Sequence, residues 1–167
     1  MADITKTLFI TREVQKKFPK DCENDTLFPI WFVATADIRS GLNPKFSDGN
    51  GKCGLFALRN QLFQEFAIRL GLDIDSSIFD PNANTTVAVE FIKWCYERFE
   101  NSQFNQLDRL LLAILSLEVG YFRIKRAISQ CSPPHSLPQI LDVLGSERAR
   151  NHIIAVISKY WEYCLAC

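Results

Sequence analysis

The sequence lacks an excess of charge of either sign: 19 lysines and arginines stand against 19 aspartates and glutamates in 167 residues. Binding to a phosphate backbone draws on a basic surplus, so no nucleic-acid partner is expected. Long apolar runs are also missing. The densest, Leu110 to Leu117, is interrupted by Ser116 and closed by Glu118, well short of the roughly 20 residues that cross a bilayer, so no membrane insertion is expected. The first twenty residues interleave Lys, Arg, Asp and Glu where a secretory leader would carry an unbroken apolar core. The expectation is synthesis in the cytoplasm without a signal peptide. Histidine occurs twice, at His135 and His152, with neither metal-ligand nor protease spacing. The six cysteines (Cys22, Cys53, Cys95, Cys131, Cys164, Cys167) follow no framework spacing and read as thiols, mostly small buried apolar groups. No strong period-two run occurs, which excludes a fold dominated by strands.

What is present is a length that suits one compact domain, 47% hydrophobic residues and thirteen Phe for an aromatic-rich core. Helix punctuation recurs. Pro29 opens a helix to about Ser40, with Gly41 as its C-terminal cap and Pro44 beyond. Phe46 to Gly54 holds three glycines and reads as a tight loop, with a short hairpin over 46–52 as an alternative. Leu55, Leu58, Leu62, Phe66 and Leu70 then recur at helical spacing up to Gly71. Asp80-Pro81 pairs an N-cap with a first-turn proline before the stripe Val87, Phe91, Cys95 and Phe99. Leu107 to Ala127 predicts one helix, apolar nearly all round in its first half. Pro133, Pro134 and Pro138 mark a connector, and Ile153 to Cys164 an amphipathic last helix. The class is mainly α.

In order, Arg39-Ser40-Gly41-Leu42-Asn43-Pro44, Asp48 to Leu58, Leu70-Gly71-Leu72, Phe79 to Asn84, Phe91 to Phe99, Leu110 to Ala113 and Arg123 to Ala127 resemble the soluble lytic transglycosylase family. The resemblance implies a lysozyme-like helical domain over 27–128, with an N-terminal extension at 1–26 and a C-terminal helical segment at 129–167 packing on that core.

The residues that the family uses for chemistry differ here. It reads Glu-Ser-Gly-Phe-Asn-Pro where this chain has Arg39 to Pro44, and that Glu is the catalytic acid and base. A guanidinium does not release a proton at ordinary pH. Its Gly-Leu-Met-Gln stands where Gly54-Leu55-Phe56-Ala57 stands here, and the Tyr and Asn of its cleft-lining Ala-Tyr-Asn-Ala-Gly become Leu115 and Ser116. Glycoside cleavage needs a carboxyl group kept protonated until it donates to the glycosidic oxygen. The resemblance therefore implies a degenerate site at Arg39, Ser40, Ala57, Leu115 and Ser116, and no assigned catalytic residue. Glu118 is the candidate displaced acid, and an ion pair between Arg39 and Glu118 is the competing expectation. Asp37, about 200° round the helix from Arg39, points away.

Other patterns carry less. Cys164 and Cys167 have zinc spacing without two further ligands, so no metal is expected. Asp48-Gly49-Asn50-Gly51 begins like a calcium loop but lacks the distal Glu and reads as a turn. Neither Ser40 nor Ser116 has a histidine placed to activate it. Lys16, Lys17 and Lys20 read as a solvated helix face, and Tyr160, Trp161 and Tyr163 as core or interface aromatics. Three readings follow: an inactive scaffold in a larger assembly such as a bacteriophage virion or tail; a peptidoglycan-cleaving enzyme using Glu118; and a peptidoglycan-binding module in which Arg39 holds a carboxylate. Protein partners or peptidoglycan are expected, and no cofactor.

Overall fold

The computed structural model describes residues 4–73, 77–100 and 103–166. Among them the elements in order are α1 (Ile4–Lys17), α2 (Pro19–Asn24), α3 (Ile30–Ser40), β1 (Lys52–Cys53), β2 (Leu58–Arg59), α4 (Asn60–Arg69), α5 (Pro81–Arg98), α6 (Gln106–Val119), α7 (Tyr121–Ser129), α8 (Leu137–Leu144) and α9 (Glu147–Ala166). The architecture is mainly α with one two-stranded antiparallel sheet. Two compact units form, 1–91 with 156–167, and 92–155.

In the first unit α1 packs on α3, and Phe18, Phe28 and Phe32 meet with ring centroids 5.4–5.8 Å apart. Pro29 caps α3 from before and Gly41 from after, as expected. The C-terminal turns of α9 cover α3. There Trp31 stacks on Tyr160 at 3.7 Å, the Tyr163 hydroxyl donates to Asp37 at 3.0 Å, and Lys159 lies 3.7 Å from the same carboxylate. Tyr160 and Tyr163 thus face inward, whereas Trp161 remains 57% exposed. Lys17 of the basic cluster pairs with Glu90, while Lys16 and Lys20 are solvated.

The helix expected from Leu55 instead starts at Asn60. Leu55 and Leu58 have helical spacing but belong to a hairpin, β1 to β2, whose register pairs Lys52 with Arg59 and Cys53 with Leu58. It follows directly on the 46–52 alternative, which also forms as a short antiparallel pairing: Ser47 bridges Cys53, Asp48 N donates to the Lys52 carbonyl at 3.1 Å and Gly54 N to the Phe46 carbonyl at 3.0 Å. The cause is tertiary, since side chains distant in sequence hold the backbone of 53–57.

In the second unit α6, α7 and α8 pack on one another. The Asn105 side chain caps α6 by accepting from Asp108 N at 2.8 Å. The single helix expected over 107–127 is two. Gly120 takes φ 88°, ψ 141° between them, a conformation open to glycine and costly for any L side chain. Pro138 falls in the first turn of α8, where its missing N–H costs nothing, so the proline-rich connector is shorter than expected. The last helix begins at Glu147, earlier than its apolar stripe suggests. No helix among the described residues is long and apolar enough to cross a membrane.

Candidate functional site

The last turn of α3 and the hairpin after it form one hydrogen-bonded assembly in the first unit. Arg39 is 9% exposed. Its Nε donates to the Phe56 carbonyl at 2.7 Å and its Nη2 to the Ala57 carbonyl at 2.9 Å. Ser40 Oγ donates to the Leu55 carbonyl and lies 3.0 Å from Ala36 O, and Asn43 N donates to that same Oγ at 3.3 Å. Two adjacent α3 side chains therefore grip three consecutive carbonyls. These oxygens point at Arg39 and Ser40 because the chain turns sharply at Ala57, φ 46°.

The other side of the turn is held by Asn84 of α5, which is fully buried. Its Oδ1 accepts from Phe56 N at 2.7 Å, and its Nδ2 donates to Ile78 O at 2.9 Å and Cys53 O at 3.3 Å. This amide comes so close that a Cβ on Gly54 would sit 2.2 Å from both Asn84 Nδ2 and Ile78 O. Gly54 is sterically required, and its φ of 77° selects glycine a second time. Asp80 caps α5 as expected, its Oδ1 accepting from Ala83 N at 2.7 Å. Sequence reasoning missed Asn84, although one signal was present: a polar residue on the same helical face as Val87 and Phe91, where burial demands partners.

The remaining predicted positions are equally occupied. Leu115 is fully buried, and Ser116, 2% exposed, donates to the Leu112 carbonyl of its own helix at 2.9 Å. Ser116 also bonds the Cys95 thiol, whose titration is pushed up to about 12 chiefly by burial. Glu118 pairs with Arg148, and its side chain is 8% exposed against 75% for the arginine. Asp37 engages Tyr163 and Lys159, as its position on the helix suggested. Arg39 and Ser40 lie in the first unit, Leu115, Ser116 and Glu118 in the second, and an Arg39–Glu118 pair remains an expectation from sequence.

The loop Asp48 to Lys52 is a turn: Asp48 Oδ1 accepts from Asn50 N at 2.8 Å and Lys52 N at 2.9 Å, bonds that hold its carboxyl below the ordinary value. Among the described residues no group of three metal-binding side chains comes together. Cys164 is half-buried, and Cys167 lies outside the described residues. His135 is half-buried beside the Phe104 ring at 5.5 Å. A depression of 360 Å³ lies beside α4, floored by Phe63, Ala67, Leu72 and Ile78, with Asp73 as its one titratable lining residue among the described residues.

Chemically, the Arg39 assembly supplies a fixed cation, two of whose donors end on backbone carbonyls. It can hold a loop and present positive potential, but it has no proton to give to a leaving group. No curated protein matches the chain. Among solved structures, an inactive mutant of the lytic transglycosylase Slt from Pseudomonas aeruginosa superposes with a TM-score of 0.69 at 17% identity, over 96% of this chain and 23% of that one. The likeness shows the fold, and this chain corresponds to less than a quarter of that protein's length. The family model described as the transglycosylase SLT domain matches residues 21–134, more than half of the chain. The chain belongs to the transglycosylase SLT domain family.

Proposed function

We propose that this chain is a lytic-transglycosylase-like domain that does not cleave peptidoglycan and serves as a structural or interaction component of a larger assembly, a bacteriophage virion or tail. The observation that carries the reading is Arg39. It stands where the family's motif has its catalytic Glu, and its guanidinium bonds the Phe56 and Ala57 carbonyls instead of facing a substrate as an acid. A structural arginine of this kind stabilises the hairpin and supplies no general acid. A peptidoglycan-binding role for Arg39 is disfavoured by its burial, since the residue is only 9% exposed and two of its five N–H donors end on backbone carbonyls.

The test incubates isolated peptidoglycan sacculi with wild type, Arg39→Glu and Glu118→Gln, scoring soluble muropeptides by mass spectrometry and sedimented protein in the same sample. No release is expected from any of them, including Arg39→Glu, since Ala57, Leu115 and Ser116 also replace the family's polar residues. Anhydro-muropeptides released by wild type and abolished in Glu118→Gln would overturn the reading in favour of a displaced acid. Cosedimentation without release would favour a peptidoglycan-binding module.

A further inference from the structure

We propose that the outer face of α7 is a docking surface for an acidic protein, with Phe122 as its apolar anchor. Tyr121, Ile124, Ala127 and Ile128 are buried, while Phe122, Arg123, Lys125 and Arg126 face solvent. At about 100° per residue, Phe122 and Arg126 share one line along the helix, flanked by Lys125 and Arg123. Most other cations of this unit are matched: Lys93 with Glu97, Arg109 with Glu100, Arg148 with Glu118 and Arg150 with Asp142. Among the described residues, Arg123, Lys125 and Arg126 have no carboxylate within ion-pair distance. In a chain whose formal charge sums to zero, three unmatched cations within four residues are a local concentration.

Phe122 is 77% exposed and rests on a packed aromatic neighbour. Its ring meets Tyr121 edge-on at 5.2 Å, Tyr121 meets Trp94 edge-on at 4.7 Å and stacks on Phe99 at 5.4 Å, and the exposed Arg98 guanidinium lies 3.9 Å over Trp94. A phenyl side chain has only two torsions to fix on binding. Arg and aromatic residues are the types that dominate interface cores.

Charge complementarity requires an anionic occupant, and the phenyl ring, one turn before Arg126, requires an apolar pocket beside the anions. A folded acidic protein supplies both. A nucleic acid also offers bases to stack on the ring, but a helix of about 13 Å neutralises few phosphates. The inference deepens the assembly reading and rests on it for its biological use, but the sacculus assay reads peptidoglycan chemistry and the following measurement reads α7.

The probe is a fluorescein-labelled random copolymer of glutamate and tyrosine, followed by anisotropy at low ionic strength with the full chain, alongside polyglutamate and a short single-stranded DNA. Wild type is expected to bind the copolymer. The Arg123→Glu/Arg126→Glu double variant should weaken it about tenfold or more, and Arg126→Gln about threefold. Phe122→Ser should weaken the copolymer about fivefold while leaving polyglutamate unchanged. Circular dichroism melting should be the same for all variants, since the altered side chains are exposed. The proposal is overturned by absence of copolymer binding, by binding indifferent to these variants, by DNA bound more tightly than the copolymer, or by a wild-type dimer in sedimentation that Phe122→Ser dissolves.

Discussion

Around Arg39 and along α7 the chain places cations in opposite settings. Arg39 is buried, with Nε and Nη2 on the Phe56 and Ala57 carbonyls; Arg123, Lys125 and Arg126 are exposed and unmatched among the described residues. A buried charge must be compensated internally or its desolvation destabilises the fold, so Arg39 is committed to holding the hairpin. An exposed charge loses little by staying in water, so the α7 cations remain available to a partner. Residue type alone does not separate the two roles, and burial does.

The comparison breaks most sharply at Gly54. Gly54→Ala drives a Cβ to 2.2 Å from Asn84 Nδ2 and Ile78 O at a φ of 77°, and should cost about 3 kcal/mol or more in urea unfolding. Next, Arg39→Met leaves the Phe56 and Ala57 carbonyls without their charged donor, for an expected loss of about 2–4 kcal/mol in the same assay. A loss under about 0.5 kcal/mol would mean that Arg39 is not structural.

A smaller effect tests the α9 cover. Burial first, and then the hydrogen bond to Asp37, push the Tyr163 phenol above its ordinary value of 10.0; Tyr160 moves the same way through burial and Cys164. The folded state therefore keeps protons that the unfolded chain releases near pH 10.0. This contribution is complete below that pH and is lost as pH rises toward the folded values. Tyr163→Phe should lose about 1 kcal/mol at neutral pH and show a shallower decline of the urea midpoint above pH 10.0. The smallest expected change completes the comparison: Phe122→Ser and Arg126→Gln on α7 should leave stability within about 0.5 kcal/mol of wild type. A larger loss would make the α7 face part of the fold rather than a surface held ready.

Much of the helical framework was legible because its signals are local. Pro29, Gly41, Asp80 and Pro81 mark ends of α3 and α5 through backbone chemistry that each residue carries with it. The pairing at 46–52 was legible from its glycines, but the β1–β2 hairpin was not, since Leu55 and Leu58 mimic helical spacing while their backbone is set by Arg39, Ser40 and Asn84 from far along the chain. The break at Gly120 was read through because both flanking segments are apolar at helical period, and an isolated glycine is tolerated in many helices. Asn84 was overlooked because its role depends on Gly54 and Ile78 meeting it.

The sequence by itself determined that the domain is mainly α and that residue 39 is a cation, because charge, proton affinity and helix punctuation belong to residues and their near neighbours; that this cation stands at the position of the family's acid is what the family resemblance implies. Only the tertiary structure decided that Arg39 grips its own hairpin while the arginines of α7 face water. The direction of a side chain and the water left around it depend on which distant segments close over it.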